Sequence, residues 1–289
     1  MRHAEVRSLG WGAWAAWSDA DRGDMRPVGR GPDEGAGLVA LAEDLGRTVG
    51  HATDPADIHD APLPVGVAWA TQVHGADVLV VGSDSDQARS RRLLGTLAVD
   101  RALPSTEGFG GCHHVGNADA LIGIGPDVPV AVLTADCCPV ALATPEGLVA
   151  AVHAGWRGLV AGVIEATAQR LRTMGASEVV GVLGPCIHPA SYAFSDADLA
   201  EVEALYGPSV RGHTASGGPA LDLPAAVEAA FSRGGIRPLP GVGSCTAQSN
   251  RYFSHRARAD GGRQALVVWW SGHETFEHVG GGSGKEGVG

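Results

Sequence analysis

The sequence predicts a single α/β domain built on mixed β-sheets, and three observations support this fold class. Short apolar runs typical of buried strands recur through the middle of the chain. Helical patterns follow them in an irregular order, whereas a doubly wound parallel sheet needs regular strand–helix alternation. With 289 residues, 44% of them hydrophobic, the chain is large enough for one substantial core. We expect this domain to occupy residues 1–278, with a flexible glycine-rich tail at 279–289.

The first third of the chain predicts few regular elements. Residues 18–36 are polar and rich in glycine and proline, which indicates an exposed loop, and residues 37–46 predict a short helix ending at a glycine. Two strands are expected at 65–75 and 76–82, meeting at a turn near Gly75.

The rest of the chain alternates more clearly between apolar runs and helical periodicity. The segment 83–117 is long and polar and predicts an irregular surface loop. The strongest helix is expected at 156–174, where apolar residues recur every three or four positions before Gly175. Two further helices are predicted at 197–207 and 223–235. Strands are predicted at 118–125, 129–136, 139–144, 147–155, 178–184 and 264–270.

Composition excludes several classes of function. The net charge is −11 and no basic run is present, which argues against a nucleic-acid-binding protein. No apolar stretch has the length of a membrane span, and the N-terminus is too polar for a secretory signal. Five cysteines form no disulfide framework, so we expect reduced thiols in a cytoplasmic protein. We also expect a monomer.

Three metal-capable side chains stand at the ends of predicted strands: His74, Cys137 and His153. Two imidazoles and a thiolate make a three-ligand zinc set with a fourth position open to water or substrate. Their spacing matches no zinc ribbon, and each residue alone is more often an ordinary polar or core residue. Cys138 follows Cys137 directly, so in extended backbone its side chain should pack inward while Cys137 faces the site.

Two other polar clusters can have either a functional or a purely structural role. Cys112, His113 and His114 lie in a glycine-rich segment that more often is a solvated loop than a metal site. The segment 153–158 enters the strongest predicted helix, where free N–H groups and Arg157 can bind an anion or simply form a tight turn.

A third polar cluster precedes the last predicted strand. Ser254, His255 and Arg256 can line a pocket there, although a surface loop is the more common outcome for such a segment.

Six motifs in order resemble the YfiH family, the laccase-domain or "polyphenol oxidase" proteins, which are related to the mammalian purine-metabolising enzyme FAMIN. They are TQVHGADV, NADALIG, TADCCPVAL, AAVHAGWRGLVAGVIEAT, LGPCIHPASYAF and CTAQSNRYFSHRARADGGRQA, and they span about residues 65–270. The resemblance departs at the N-terminus, which lacks the family's Asn-Arg pair, and at His255, which stands where the family usually has tyrosine.

The resemblance implies a fold, an activity and a metal site. The fold would be a layered α/β/β/α arrangement with mixed sheets, similar to a cysteine-hydrolase-like toxin domain. The activity would be zinc-dependent purine nucleoside phosphorolysis, accompanied by adenosine deamination and methylthioadenosine phosphorolysis. One zinc would be bound by His74, Cys137 and His153. We further predict that Asp136 transfers a proton during deamination and that Arg157 and Arg256 bind phosphate.

Three alternatives stay open at this stage. Copper competes well for such ligands, so a copper-loaded oxidase of phenols is one, but none of the twelve histidines forms the His-x-His pair typical of a four-copper laccase. The second is a metal-free hydrolase with Cys137 as nucleophile and His153 as base. The third is a zinc-binding protein without catalytic activity.

Overall fold

Two mixed β-sheets packed face to face form the centre of the fold. The computed structural model describes residues 4–26, 37–38, 40–41, 66–83, 100–103, 111–126 and 128–271. The six-stranded sheet has, in spatial order, β1 (Ala4–Gly10), β2 (Ala13–Ser18), β15 (Gln264–Trp270), β8 (Val130–Thr134), β3 (Gly66–Thr71) and β6 (Gly111–Asn117). The seven-stranded sheet has β14 (Arg237–Pro238), β11 (Val180–Leu183), β9 (Cys138–Ala143), β10 (Leu148–Ala154), β7 (Ala120–Ile124), β4 (Val78–Ser83) and β5 (Arg101–Leu103).

The described helices lie in the C-terminal half, apart from helical residues at 37–38 and 40–41. They are α1 (Trp156–Val160), α2 (Val163–Thr173), α3 (Asp196–Tyr206), α4 (Leu223–Gly234) and α5 (His255–Arg258). A small two-stranded sheet pairs β12 (Arg211–His213) with β13 (Pro219–Leu221). None of the helices in the described part of the chain has the length and apolarity to cross a bilayer.

Three buried clusters fill the spaces between four layers. The first joins the outer face of the seven-stranded sheet to α2, α3 and α4. The second lies between the two sheets, and the third joins the outer face of the six-stranded sheet to Leu38 and Leu41 of the short N-terminal helical segment. Strands β9 and β10 are buried along their whole length because their side chains alternate between the first two clusters. The layered α/β/β/α prediction is thereby confirmed.

Two N-terminal strands and two strands within 83–117 depart from the sequence prediction. No element was expected before residue 18, yet β1 and β2 form a hairpin at the edge of the six-stranded sheet. The loop predicted at 83–117 contains β5 and β6, so the prediction is wrong there. Strand β6 carries Cys112, His113 and His114, and pairing with β3 makes these polar residues a strand rather than a solvated loop.

One connection agrees with prediction and one differs. Strands β3 and β4 meet at a bend at residues 74–75, and this bend joins the two sheets, because β3 belongs to the six-stranded sheet and β4 to the other. The helix predicted at 156–174 is divided into α1 and α2 by Gly162, which adopts a left-handed φ of 82° that interrupts the helix.

The remaining predicted helices and strands are found as helices and strands where the structure describes them. Two predicted segments fall partly or wholly outside the described residues. In the expected loop 18–36, residues 20–22 form a single 3₁₀ turn, and 27–36 are not described. The predicted tail at 279–289 also lies outside the described residues.

Candidate active site

His74, Cys137 and His153 converge at one point although they belong to three separate chain segments. Their potential ligand atoms all lie within 4.8 Å of one another. The His74 and His153 rings meet edge to face with centroids 4.8 Å apart, and the Cys137 Sγ lies 3.9 Å from His74 Nε2. Among the described residues this is the only group of three or more metal-capable side chains found at such distances. The three predicted ligands can therefore bind one metal ion together.

His74 lies in the segment that connects β3 of one sheet to β4 of the other. This residue follows β3 and has a left-handed φ of 60°, a conformation that costs energy for a residue with a Cβ. The buried Asp119 carboxylate compensates for that cost by accepting the backbone N–H groups of Val73, His74 and Gly75 at 3.2, 2.9 and 2.7 Å. Asp119 thus acts as a fixed anchor for this turn.

Asp119 also orients His153, which lies near the end of β10 and is 3% exposed. The His153 Nδ1 lies 2.8 Å from Asp119 Oδ1. Burial opposes ionisation of Asp119, but hydrogen bonds from His153 and from the turn hold the pKa of its carboxyl below the usual value. Asp119 is therefore an acceptor, so Nδ1 donates the proton and Nε2 is left to face Cys137 and a metal.

Cys137 lies on the bend between β8 and β9, and Cys138 is fully buried in the core on the helix side of β9. The opposite orientation of the two thiols confirms the expectation from extended backbone. Gly155 packs so closely that a Cβ there would stand 2.8 Å from the Cys137 Sγ and 3.1 Å from the His74 ring. Glycine is required at this approach because no other residue leaves room for both side chains.

The metal-free site stabilises a thiolate. Burial opposes ionisation of Cys137, but the neighbouring His153 and His74 imidazoles lower the pKa of its thiol to about 6. Burial likewise opposes protonation of His153, whereas Cys137 and Asp119 raise the pKa of its imidazole to about 9. The thiolate is the form of cysteine that binds metals or acts as a nucleophile.

A pocket of about 610 Å³ opens above these three residues. This volume is within the range of about 300–1,000 Å³ that small-molecule sites occupy. The walls come from the ends of β3 and β8, from Tyr192 and from the segment before β15. Basic side chains predominate among the described lining residues: Arg26, Arg256, Arg263 and His255 occur with His74 and His153, and Asp136 is the one acidic residue among them.

Asp136 holds the segment that carries Arg256. Its Oδ1 accepts the hydroxyls of Thr246 and Ser254, each at 2.7 Å, and its Oδ2 accepts the backbone N–H of Arg256 at 2.6 Å. Asp136 itself has a left-handed φ of 94°. The expectation of a surface loop at 254–256 is therefore wrong: His255 and Arg256 line the pocket because a buried carboxylate binds the start of α5.

Tyr192 is close to the charges of both arginines that were predicted to bind phosphate. Arg256 lies over the Tyr192 ring at 4.9 Å and donates to the carbonyl of Ala193. Burial raises the pKa of the Tyr192 hydroxyl, and the positive charges of Arg256 and Arg157 act against that rise. Arg157 does not line the pocket, and its guanidinium stacks on Trp156 at 4.3 Å.

Sequence reasoning missed several residues of this site. Asp119 received no role, although an acidic residue directly before an apolar strand is an unusual neighbour for a core and can signal a functional carboxylate. Trp69, Tyr192 and Arg263 were missed as lining residues because they reach the pocket from distant segments that carry no local signal.

Sequence comparison relates the chain to named enzymes. Residues 56–271 match the family described as multi-copper polyphenol oxidoreductase laccase. A purine nucleoside phosphorylase of Streptomyces coelicolor is 36% identical over 209 residues, which are 71% of this chain and 76% of that protein. One from Streptomyces griseus is 32% identical over 259 residues, covering 89% of this chain and 91% of that protein.

Solved structures agree at the level of the fold. The YfiH protein of Bacillus licheniformis superposes with a TM-score of 0.63 at 22% identity, covering 89% of this chain and 92% of that one. YlmD of Geobacillus stearothermophilus has a TM-score of 0.61 at 24% identity, covering 92% and 98%. The family match covers most of the chain, and the layered fold and the converging His–Cys–His group agree with it. The chain therefore belongs to the laccase-like YfiH family.

Proposed function

We propose that this protein is a zinc-dependent purine nucleoside phosphorylase whose substrates are a purine nucleoside and phosphate. The observation that carries the proposal is the His74–Cys137–His153 group on a pocket of nucleoside size that Arg256 also lines. The names of the two Streptomyces relatives support the same reaction.

The residues of the site suit zinc. A thiolate with two imidazoles is a frequent donor set for zinc, and three protein ligands leave a position for substrate. The carboxylate of Asp119 behind His153 is the outer partner that metal-binding histidines usually have. When bound there, zinc supplies Lewis-acid polarisation of a substrate group, and copper can replace it.

The side chains of the protein supply the phosphate site. Cleavage of the N-glycosidic bond develops positive charge on the ribose, while a phosphate oxygen attacks C1′ and the purine leaves with the bonding electrons. A guanidinium holds phosphate through charge-assisted hydrogen bonds, and Arg256 is positioned for this by Asp136 and Tyr192. Arg157 contributes positive charge near Tyr192.

We further propose that the protein deaminates adenosine and phosphorolyses methylthioadenosine. Deamination replaces the exocyclic amine of adenine by an oxygen from water, and it needs a group that moves a proton to the leaving ammonia. Asp136 is our candidate because it lines the pocket and directly precedes Cys137 in the chain. Asp136 also accepts hydrogen bonds from three donors, one of which is the backbone N–H of Arg256, so it positions Arg256 as well.

Product analysis tests the proposal directly. The purified protein with measured zinc is incubated with inosine, adenosine or methylthioadenosine, each with and without phosphate. We expect free base and a sugar 1-phosphate only when phosphate is present, and inosine from adenosine in its absence. Protein with one zinc per chain that releases no base from any of the three would contradict the phosphorylase and favour a zinc-binding protein without catalytic activity.

A cysteine hydrolase is the second candidate, because Cys137, His153 and Asp119 form a connected nucleophile, base and orienting carboxylate. Under that alternative, metal-free protein is active and alkylation of Cys137 abolishes the activity. A four-copper oxidase has less support, since the described residues bring together one His–Cys–His group and no further histidine cluster. Oxidation of phenols by copper-loaded protein would indicate a single-copper side activity.

A further inference from the structure

Trp69 lines the pocket and contacts the ring of His114, and the proposed reaction assigns no role to this aromatic pair. We propose that Trp69 binds the purine base by stacking and that His114 and Thr71 are positioning residues for its indole ring. This inference rests on the proposed function, because it names the part of the site that selects a purine nucleoside.

The strand register brings Trp69, His114 and Thr71 together. Strands β3 and β6 run parallel with Trp69 opposite His114, and their ring centroids are 4.6 Å apart with a tilt of 50°. Thr71 follows two residues after Trp69 and therefore lies on the same face of the sheet. The Thr71 Oγ1 and His114 Nε2 lie 2.9 Å apart, so the imidazole is held by a hydrogen bond while it supports the indole.

Trp69 contacts both the core and the pocket. Its side chain is half-buried, packs against the cluster on the outer face of the six-stranded sheet and lines the pocket. Tyr192 is the other large aromatic residue of the lining, but it is 6% exposed and its ring already contacts Phe194 and Arg256. Of these two rings, Trp69 is the one with a surface left for a base.

Stacking explains a preference for purines. Every base has a π face, but a bicyclic purine covers more of an indole than a pyrimidine does, and base–aromatic stacking typically changes affinity by about tenfold or more. Loss of the indole should therefore weaken binding of purine nucleosides more than binding of pyrimidine nucleosides. The metal ligands and Arg256 are separate residues, so turnover of bound substrate should persist.

The experiment compares Trp69→Leu, Trp69→Phe and His114→Ala with Trp11→Phe. Trp11 is half-buried in the β1–β2 turn and does not line the pocket, so it is the matched control. Zinc content verifies that each variant retains the metal site. Inosine and uridine are titrated without phosphate while tryptophan fluorescence is recorded, and KM and kcat for inosine are then measured with phosphate.

The expected result for Trp69→Leu is a KM for inosine about tenfold higher with kcat unchanged. Trp69→Phe should lose the fluorescence quenching that inosine causes in the natural protein and in Trp11→Phe, and should keep part of the affinity. His114→Ala should raise KM less than Trp69→Leu does. Uridine binding should change little in all variants.

Two outcomes overturn the inference. An unchanged KM in Trp69→Leu, or quenching that persists in Trp69→Phe, removes Trp69 from the base site while phosphorolysis by the natural protein still supports the proposed function. Conversely, quenching by inosine that depends on Trp69 in a protein without phosphorolysis supports the base site and contradicts the phosphorylase. A natural protein that neither binds inosine nor cleaves it contradicts both.

Discussion

Asp119 and His153 lie side by side in the core, with the imidazole Nδ1 donating to the carboxylate Oδ1 over 2.8 Å. The same carboxylate accepts three backbone N–H groups of the turn that carries His74. One buried side chain thus sets the position of two of the three candidate metal ligands. This coupling makes Asp119 a determinant of the candidate metal site although it does not itself belong to the His–Cys–His group.

Asp119→Asn should therefore weaken metal binding. The amide keeps one acceptor oxygen but places an NH₂ group where a backbone N–H or His153 now donates. We expect zinc affinity to fall about 10- to 100-fold, as for other outer-shell changes. The free energy of unfolding of the metal-free protein should fall by about 2 kcal/mol. Chelator competition and urea denaturation measure the two effects, and unchanged zinc affinity would contradict the coupling.

Removal of any one ligand should remove the metal. His74→Ala, Cys137→Ala and His153→Ala are each expected to contain far less than one zinc per chain by elemental analysis, because two protein ligands hold zinc weakly. His213→Ala is the matched control, since His213 is exposed on β12 and outside the group. Full zinc content in Cys137→Ala would exclude the thiolate as a ligand.

Gly155→Ala tests the close packing around the metal group. The new Cβ would stand 2.8 Å from the Cys137 Sγ, a separation that real Cβ atoms do not show, so the thiolate or the β10–α1 turn has to move. We expect weaker zinc binding and lower activity in a protein that remains folded. In Gly241→Ala the nearest atom is 3.4 Å away, an ordinary contact, and that variant should retain its zinc. Equal zinc affinity in the two variants would show that the turn relaxes freely.

Phosphate binding should depend on Arg256 more than on Arg157. Arg256 lines the pocket, whereas Arg157 stacks on Trp156 and its charge acts on Tyr192. We expect Arg256→Ala to raise the KM for phosphate about tenfold or more, with a smaller rise in Arg157→Ala and zinc content unchanged in both. Initial rates at varied phosphate test this order. Unchanged phosphate kinetics in both variants would place the anion site elsewhere.

The Asp136→Asn variant distinguishes two roles of Asp136, proton transfer in deamination and positioning of Arg256. An amide cannot transfer the proton but can still accept hydrogen bonds with its oxygen, so a catalytic role predicts loss of deamination with the KM for phosphate little changed. A positioning role predicts the reverse, because the start of α5 loses part of its anchor and Arg256 moves. Parallel assays of adenosine deamination and phosphate KM distinguish the two, and an unaffected deamination rate removes Asp136 from proton transfer.

Some parts of the fold could be predicted from local patterns and others could not. Strands β7 to β10 are continuous apolar runs, and burial on both faces requires that composition, so their positions were predicted closely. Strand β6 was missed because its Cys-His-His sequence is polar, and only pairing with β3 makes it a strand. The break at Gly162 was missed because apolar periodicity continues across it.

The sequence by itself determined the α/β class, the identity of the three metal-capable residues and the opposite orientation of Cys137 and Cys138. Each of these follows from residue types and from periods of two or three to four along a single segment. Tertiary structure alone decided that His74, Cys137 and His153 meet, that Asp119 anchors two of them and that Trp69 and Arg256 face one pocket. These contacts join segments far apart in the chain, and only the packing of two sheets against each other brings such segments together.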